Sequence, residues 1–326
     1  MDRSCQGRHL SCGHMSTTLI ADALDRVTLG PETVVHDLTM IPLLAPSDER
    51  VDRGYVTLDE ALERGDLRIV EVSDQGRVPD LLVVNRGPLP VLIVDGEELV
   101  GAKQNRVVNL SILVPAAAEV TIPVSCVEAG RWAMRSREFS SAPRTQYASG
   151  RMKRMRQVTE SIVGSGARFS DQAEVWADIA EKAARLDAKS DTSAMAALFS
   201  GHAVSIDAFV VACAPIEKQV GAVFAIDGRI AGMELFDSPV TLRALLPKIV
   251  RGYAIDAIDR RLADARGSAV RSVRPQAERF VASVSASAAL TAPAVGLGSD
   301  VRLSGAGIIG AALTTDHVLH LIAFAG

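Results

Sequence analysis

The chain has 326 residues, a formal charge of −4, 48% hydrophobic and 23% charged residues, which suits a globular protein able to bury a sizeable core. That charge gives no overall attraction to nucleic acid or to an acidic membrane, and 4% aromatic residues leave little for base-stacking platforms. No run of 18 apolar residues reads as a membrane span, and no charged-then-apolar signal pattern opens the chain, so a cytoplasmic setting is expected.

Cys5, Cys12, Cys126 and Cys213 make no disulfide framework in a chain of this size. Cys5, His9, Cys12 and His14 can be drawn as a small zinc site. They sit in a polar stretch outside any periodic element, however, and read better as part of a leader or an upstream start ahead of Met15. Residues 1–32 are therefore set apart as a leader or disordered segment. Residues 33–326 form a single α+β domain, with a split near residue 160 as the alternative.

In chain order, residues 34–44, 67–72, 81–85, 90–94, 107–114 and 120–127 read as strands. Asp74-Gln75-Gly76 and Asn85-Arg86-Gly87-Pro88 give turns between them, and residues 58–64 fit a short helix. The links are too short for crossover helices, so the pairing is expected to be antiparallel. From 131 to 156 the periodicity stops, and Arg131, Arg135, Arg137, Arg144, Arg151, Lys153, Arg154 and Arg156 stand against the single acid Glu138. Helices are expected over 171–186, 206–220, 241–264 and 276–287, with Pro215 weakening the second and Pro247 kinking or splitting the third. Asp227-Gly228 marks a type I′ hairpin within 223–234, and residues 301–325 return to strand. A β-rich, largely antiparallel N-terminal half, a helical middle and C-terminal strands that rejoin the sheet define the expected fold class, α+β.

The chemistry concentrates in Asp95-Gly96-Glu97-Glu98-Leu99-Val100-Gly101-Ala102-Lys103-Gln104-Asn105-Arg106. Three carboxylates, two glycines and four donors between apolar runs suit a site that must both accept and donate hydrogen bonds. The plain structural reading is an Asp-Gly turn with solvated glutamates beyond it. Strand alternation separates Glu97, Lys103 and Asn105 from Glu98, Gln104 and Arg106, and a bulge at Gly101 would bring the two faces together. Cys126-Val127-Glu128-Ala129-Gly130-Arg131-Trp132 closes a later strand and forms either a pocket lip or an ordinary strand exit. Glu128 joins the acids, since paired carboxylates let one rise in pKa and serve as the acid. Cys126 has no histidine beside it in sequence and reads as buried packing rather than a nucleophile.

The basic span suits either a lid over phosphate or carboxylate or an arm that docks on a partner. Gly305-Ala306-Gly307-Ile308-Ile309-Gly310 matches a dinucleotide fingerprint, but only 16 residues follow it, too few for a βαβ unit. His317 and His320 would point to opposite faces of a strand, so a shared metal is not expected; His320 reads as a core residue or one that orients an acid. Asp237 before Ser238-Pro239 reads as a helix cap, and Glu234 is a weaker site candidate in an apolar strand.

The 95–106 block resembles the ARG and rhodanese-phosphatase-superfamily-associated protein domain family, ARG being ADP-ribosylglycohydrolase. So do residues 55–62, the strand Ile122-Pro123-Val124-Ser125-Cys126-Val127-Glu128 with Gly130-Arg131-Trp132, Asp227-Gly228, Phe236-Asp237, His320 and Phe324. The resemblance runs from about residue 35 to the end and implies a ligand related to ADP-ribose, an NAD-derived nucleotide or another phosphorylated conjugate. It carries over no catalytic residue. The residues themselves suggest Glu97, Glu98 and Glu128 as catalytic carboxylates, with Lys103, Gln104, Asn105, Arg106, Arg131 and Trp132 as ligand-binding groups. The expected activity is hydrolysis of an anionic small molecule, to which Mg²⁺ is a compatible addition. The alternatives are a module that binds the same ligand or an ADP-ribosylated protein, and a structural arm for partner docking. The sequence sets no oligomeric state.

Overall fold

The computed structural model describes residues 17–46, 53–73, 76–263 and 272–326. Cys5, His9, Cys12, His14 and Met15, and Asp74 and Gln75 of the first turn, lie outside the described residues. Strands and helices contribute in similar measure, and nearly all strand pairs are antiparallel, which makes the fold α+β.

The larger of three sheets has nine strands. Its path runs Thr28–Leu29, Leu38–Leu44, Gln219–Ile226, Arg229–Phe236, Val318–Ala325, Ile308–Thr314, Ser299–Gly305 and Ala288–Pro293, and Thr33–Val35 also pairs with Leu38–Leu44. The C-terminal strands therefore rejoin a sheet that the first strands begin. Strand alternation divides its side chains between two cores. Leu38, Met40, Phe224, Phe236, Ile322 and Phe324 face the helices of the middle of the chain. Ile41, Leu43, Val223, Met233, Leu235 and Leu321 face the other side, where Ile20, Leu24, Ala277, Phe280 and Val284 cover them. The expected leader of residues 1–32 is thus not uniform: residues 17–25 are helical and bury Ile20 and Leu24 in this second core.

Residues between the first strands and the helices build two smaller sheets. One has six strands in the order Phe139–Thr145, Glu97–Gly101, Arg106–Val108, Ala118–Cys126, Asp80–Asn85 and Leu67–Glu71. The other joins Ile112–Val114, Val91–Ile93 and Val56–Thr57, with a parallel pair between Val56–Thr57 and Val91–Ile93. Ile69, Val83, Ile93, Leu99, Val108, Ile122 and Phe139 form their shared core. The short helix Leu58–Glu63 starts at a capping box in which Thr57 and Glu60 satisfy each other's backbone N–H groups.

Three expected helix boundaries move. The helix Ala203–Ala212 stops well before residue 220, because Pro215 biases its predecessor away from helical geometry and Lys218 takes φ 61°. The helix Pro239–Ala263 runs through Pro247 unsplit. Leu245, Leu246, Ile249 and Val250 are all buried around the proline, so packing outweighs the lost backbone hydrogen bond. Ser238, not Asp237, supplies the side chain at that helix start, with Val240 N–H donating to its Oγ at 3.2 Å. Asp237 instead accepts hydrogen bonds from Tyr55 and His317. The Asp227-Gly228 turn forms as its chemistry predicts, with φ 50° and 70° between the strands Gln219–Ile226 and Arg229–Phe236. Gly305 and Gly307 belong to the hairpin joining two closing strands.

Candidate functional site

The strands Glu97–Gly101 and Arg106–Val108 pair as a hairpin, with Glu98 opposite Val107 and Leu99 opposite Arg106. Residues 102–105 make the turn. Gly101 ends its strand at φ 138°, where a Cβ would stand 2.5 Å from Ser136 Oγ and 2.7 Å from the Glu138 carbonyl oxygen. The expected bulge is thus a strand end, and the turn performs its task of folding the polar residues to one side. Asn105 Oδ1 accepts from Gly101 N–H at 3.3 Å, Ser136 Oγ from Ala102 N–H at 3.0 Å, and Glu71 Oε1 from Lys103 N–H at 3.3 Å.

Glu128 lies just past the strand Ala118–Cys126 and is the hub of this turn. Its Oε2 accepts from Arg131 at 2.6 Å and from Asn105 N–H at 3.1 Å, while Oε1 accepts from Thr192 Oγ1 at 2.7 Å. Arg131 also donates to Asn105 Oδ1 at 3.0 Å and to the Ala102 carbonyl at 2.6 Å. Burial pushes the Glu128 carboxyl up, but Arg131, Thr192 and the Asn105 N–H together hold it below the usual carboxylate range. Glu98 is fully buried. Burial is the main cause that carries its carboxyl above that range; repulsion from Glu128 adds to it, and Arg144, whose Nε lies 2.6 Å from Oε2, opposes it. Two neighbouring carboxylates are therefore pushed in opposite directions, the arrangement by which an acid and a base are made from one residue type.

Beside them Arg106 is wholly buried. Its NH1 donates to Gln104 Oε1 at 3.0 Å, while Nε and NH2 have no partner among the described residues. Glu98 Oε1, Glu71 Oε2 and Arg131 Nε are likewise buried without partners. Native interiors rarely leave so many polar atoms open, so these atoms mark the group as a candidate site for a ligand or water that both donates and accepts. Trp132 is 49% exposed at its edge, with Lys103 Nζ 5.3 Å and Arg106 Cζ 5.8 Å from the ring centroid. Gly76 packs against Trp132 and Lys103 across the same edge. Comparison with known protein families matches residues 26–324 to the ARG and Rhodanese-Phosphatase-superfamily-associated Protein domain.

The chain belongs to that family. The matched region takes in the hairpin, Glu128 and Arg131. No curated protein and no solved structure matched the chain.

In this member of the family the structure gathers Glu98, Glu128, Lys103, Gln104, Asn105, Arg106, Arg131 and Trp132, and separates Glu97 from them. Glu97 Oε1 accepts from Lys248 Nζ at 2.8 Å and Oε2 from Val94 N–H at 2.9 Å. Consecutive strand residues point to opposite faces, so Glu97 cannot share a site with Glu98. Lys248 also reaches Asp59 and Ser141, each at 2.7 Å, and Glu97 thus helps tie the helix Pro239–Ala263 to the smaller sheets.

The basic span is not an open lid. Phe139–Thr145 is a strand and Ala148–Ser165 a helix, and Arg151 and Arg154 of that helix are fully buried. Arg151 pairs with Asp95 at 3.1 Å and Glu234 at 2.7 Å, and Arg154 pairs with Asp95 at 3.1 Å, which turns Asp95 away from the Glu98–Glu128 cluster. Cys126 Sγ lies 3.0 Å from Gln104 Oε1, and burial raises its pKa, so it stays a thiol. Arg144, Glu71 and Thr192 contact this cluster and were missed by sequence reasoning. Arg144 lay within the conspicuous basic span, whereas Glu71 and Thr192 carried no local signal. Among the described residues, no group of three or more His, Cys, Asp or Glu side chains is placed to hold a metal ion, and no helix is long and apolar enough to cross a membrane.

Proposed function

We propose that the side chains around Glu98 and Glu128 form a cleft that binds a phosphorylated, nucleotide-like anion of the ADP-ribose type and hydrolyses it. The observation that carries this reading is the pair of open Arg106 nitrogens, buried among Glu71, Glu128 and Arg131. A guanidinium edge with two free donors suits a phosphate or carboxylate in bidentate geometry. Trp132 offers an exposed ring for a base or ribose, with Lys103 beside it for a second anionic oxygen. The family's name associates it with ARG and rhodanese-phosphatase proteins, which favours the same ligand class.

In this reading Glu98, whose carboxyl burial biases toward the protonated form, gives its proton to the leaving group as the scissile bond breaks. Glu128 has three of its roughly four lone-pair positions occupied, and the remaining one on Oε1 takes the proton of the attacking water. Arg131 and Asn105 position it. The proposed setting is cytoplasmic, with a small anion rather than nucleic acid or a membrane as partner. A divalent ion such as Mg²⁺ would enter with the phosphate.

The near-saturation of Glu128 favours a second reading, in which the cleft only recognises the ligand. A thermal-shift series with ADP-ribose, NAD, nucleoside diphosphates and sugar phosphates, with and without Mg²⁺, tests both. A ligand at about 100 times its Kd adds roughly 2.7 kcal/mol of stability. Arg106→Met is expected to abolish the shift. Glu98→Gln is expected to retain it and to stop turnover, whereas unchanged product formation in Glu98→Gln would rule out its role as the acid. No shift across the series would overturn the ligand class.

A further inference from the structure

Away from the cleft, three side chains far apart in sequence fall into line. Ser111, in the link between the strands Arg106–Val108 and Ile112–Val114, sets its Oγ 2.7 Å from His320 Nδ1. His320, in the strand Val318–Ala325, sets Nε2 3.1 Å from Glu234 Oε2. Glu234, on the neighbouring strand, accepts from Arg151 NH1 on its other oxygen at 2.7 Å. Phe236 stacks on the imidazole at 4.5 Å between centroids and 12° between planes, which fixes the ring.

The partners assign the protons. Burial opposes ionisation of Glu234, but Arg151 and His320 hold it below the usual carboxylate range, so it only accepts. Nε2 therefore carries the hydrogen, and Nδ1 turns its lone pair to the Ser111 hydroxyl. This is a hydroxyl–imidazole–carboxylate relay with the two ring nitrogens exchanged relative to the usual serine triad. His320 and Glu234 are sealed, whereas Ser111 is partly exposed. Asp95 N–H also donates to Ser111 Oγ, at 3.0 Å, and would steady developing charge there.

Ser111 borders a small cavity, about 10 Å³ and so large enough for one water-sized group, shared with Asp95, Asp300 and Arg302. Arg302 spends NH2 on Asp300 at 2.8 Å, and among the described residues its buried Nε and NH1 and Asp95 Oδ2 have no partner. A hydroxyl aligned with a base, beside unmatched buried donors, is the set that acyl transfer needs.

We propose that Ser111, His320 and Glu234 form a second reactive centre, with Ser111 as nucleophile toward small acyl esters. This centre is independent of the Glu98–Glu128 reading. Ser111 Oγ bonds to the acyl carbon as its proton passes to His320 Nδ1. The ester C–O bond then breaks, and the alcohol leaves with that proton. Water adds to the acyl carbon, the Oγ–acyl bond breaks, and the carboxylic acid departs with Ser111 restored. Arg302 would meet the carbonyl oxygen as it gains charge; the cavity has room for that oxygen alone, and the rest of the ester stays on the exposed side of Ser111.

The test mixes the full chain with p-nitrophenyl acetate, follows nitrophenolate release before the steady state, and maps the acetyl group by peptide mass spectrometry. The expected result is a burst of about one equivalent with acetyl on Ser111. Ser111→Ala should keep the melting temperature and lose the burst. His320→Gln should slow the burst by about 100-fold or more. Since His320 is buried, Glu234→Gln gives a milder variant that should slow it while leaving acetyl on Ser111. Absence of a burst, an equal burst in Ser111→Ala, or acetyl on amino groups alone would overturn the proposal.

Discussion

Replacing Arg151 by Met isolates a fully buried electrostatic tie. The guanidinium is 1% exposed and holds Glu234 at 2.7 Å and Asp95 at 3.1 Å. Asp95 keeps Arg154 at 3.1 Å, and Glu234 keeps His320, so the uncompensated loss falls mainly on Glu234. Removing one partner of a buried ion pair costs about 3–5 kcal/mol, because the remaining charge stays desolvated. At about 2 °C per kcal/mol for a chain of this length, the melting temperature should fall by roughly 6–10 °C.

The loss depends on pH. In the parent, Glu234 sits below its unfolded pKa, so it adds stability above that value which fades as pH falls through the lowered one. Without Arg151 the buried carboxyl rises above its unfolded value and costs stability as pH climbs. The gap between parent and variant is therefore wider at about pH 8 than at about pH 5. Urea denaturation of parent, Arg151→Met, Glu234→Gln and the double variant measures the coupling. A loss below about 1 kcal/mol, or one that is undiminished in the Glu234→Gln background, would refute the assignment.

Glu98→Gln and Glu128→Gln should show opposite pH trends in denaturation. Glu98 is raised, so its replacement becomes relatively more stable as pH climbs past the carboxylate range; Glu128 is lowered, so its replacement loses most at neutral pH and converges with the parent in acid. Lys248→Met leaves Glu97 buried and should cost about 3–5 kcal/mol by chemical denaturation, while Glu97→Gln leaves the ADP-ribose thermal shift unaltered. Asp171 caps the helix Gln172–Arg185 through Ala173 and Glu174 N–H groups, and Asp171→Ala should cost about 1 kcal/mol in the same assay. Gly101→Ala should weaken any ligand bound in the cleft along with the fold, since its Cβ would displace Ser136 and the strand beyond it.

What the sequence alone determined was local. Turn chemistry at Asp227-Gly228, the short helix expected over 58–64, the periodicity of most strands and the density of polar groups from 95 to 106 all act within a few residues. The same local signals, however, joined Glu97 to Glu98 and read Arg151 and Arg154 as part of an open basic loop. Tertiary structure decided both: strand alternation turned Glu97 to Lys248, and helix packing sank the two arginines onto Asp95 and Glu234. The alignment of Ser111, Glu234 and His320, and of Glu98 with Glu128, also belongs to tertiary structure. Burial and long-range partners set which charges are matched, which are protonated and which are left open. Those depend on residues up to two hundred positions away, and no window along the chain contains them.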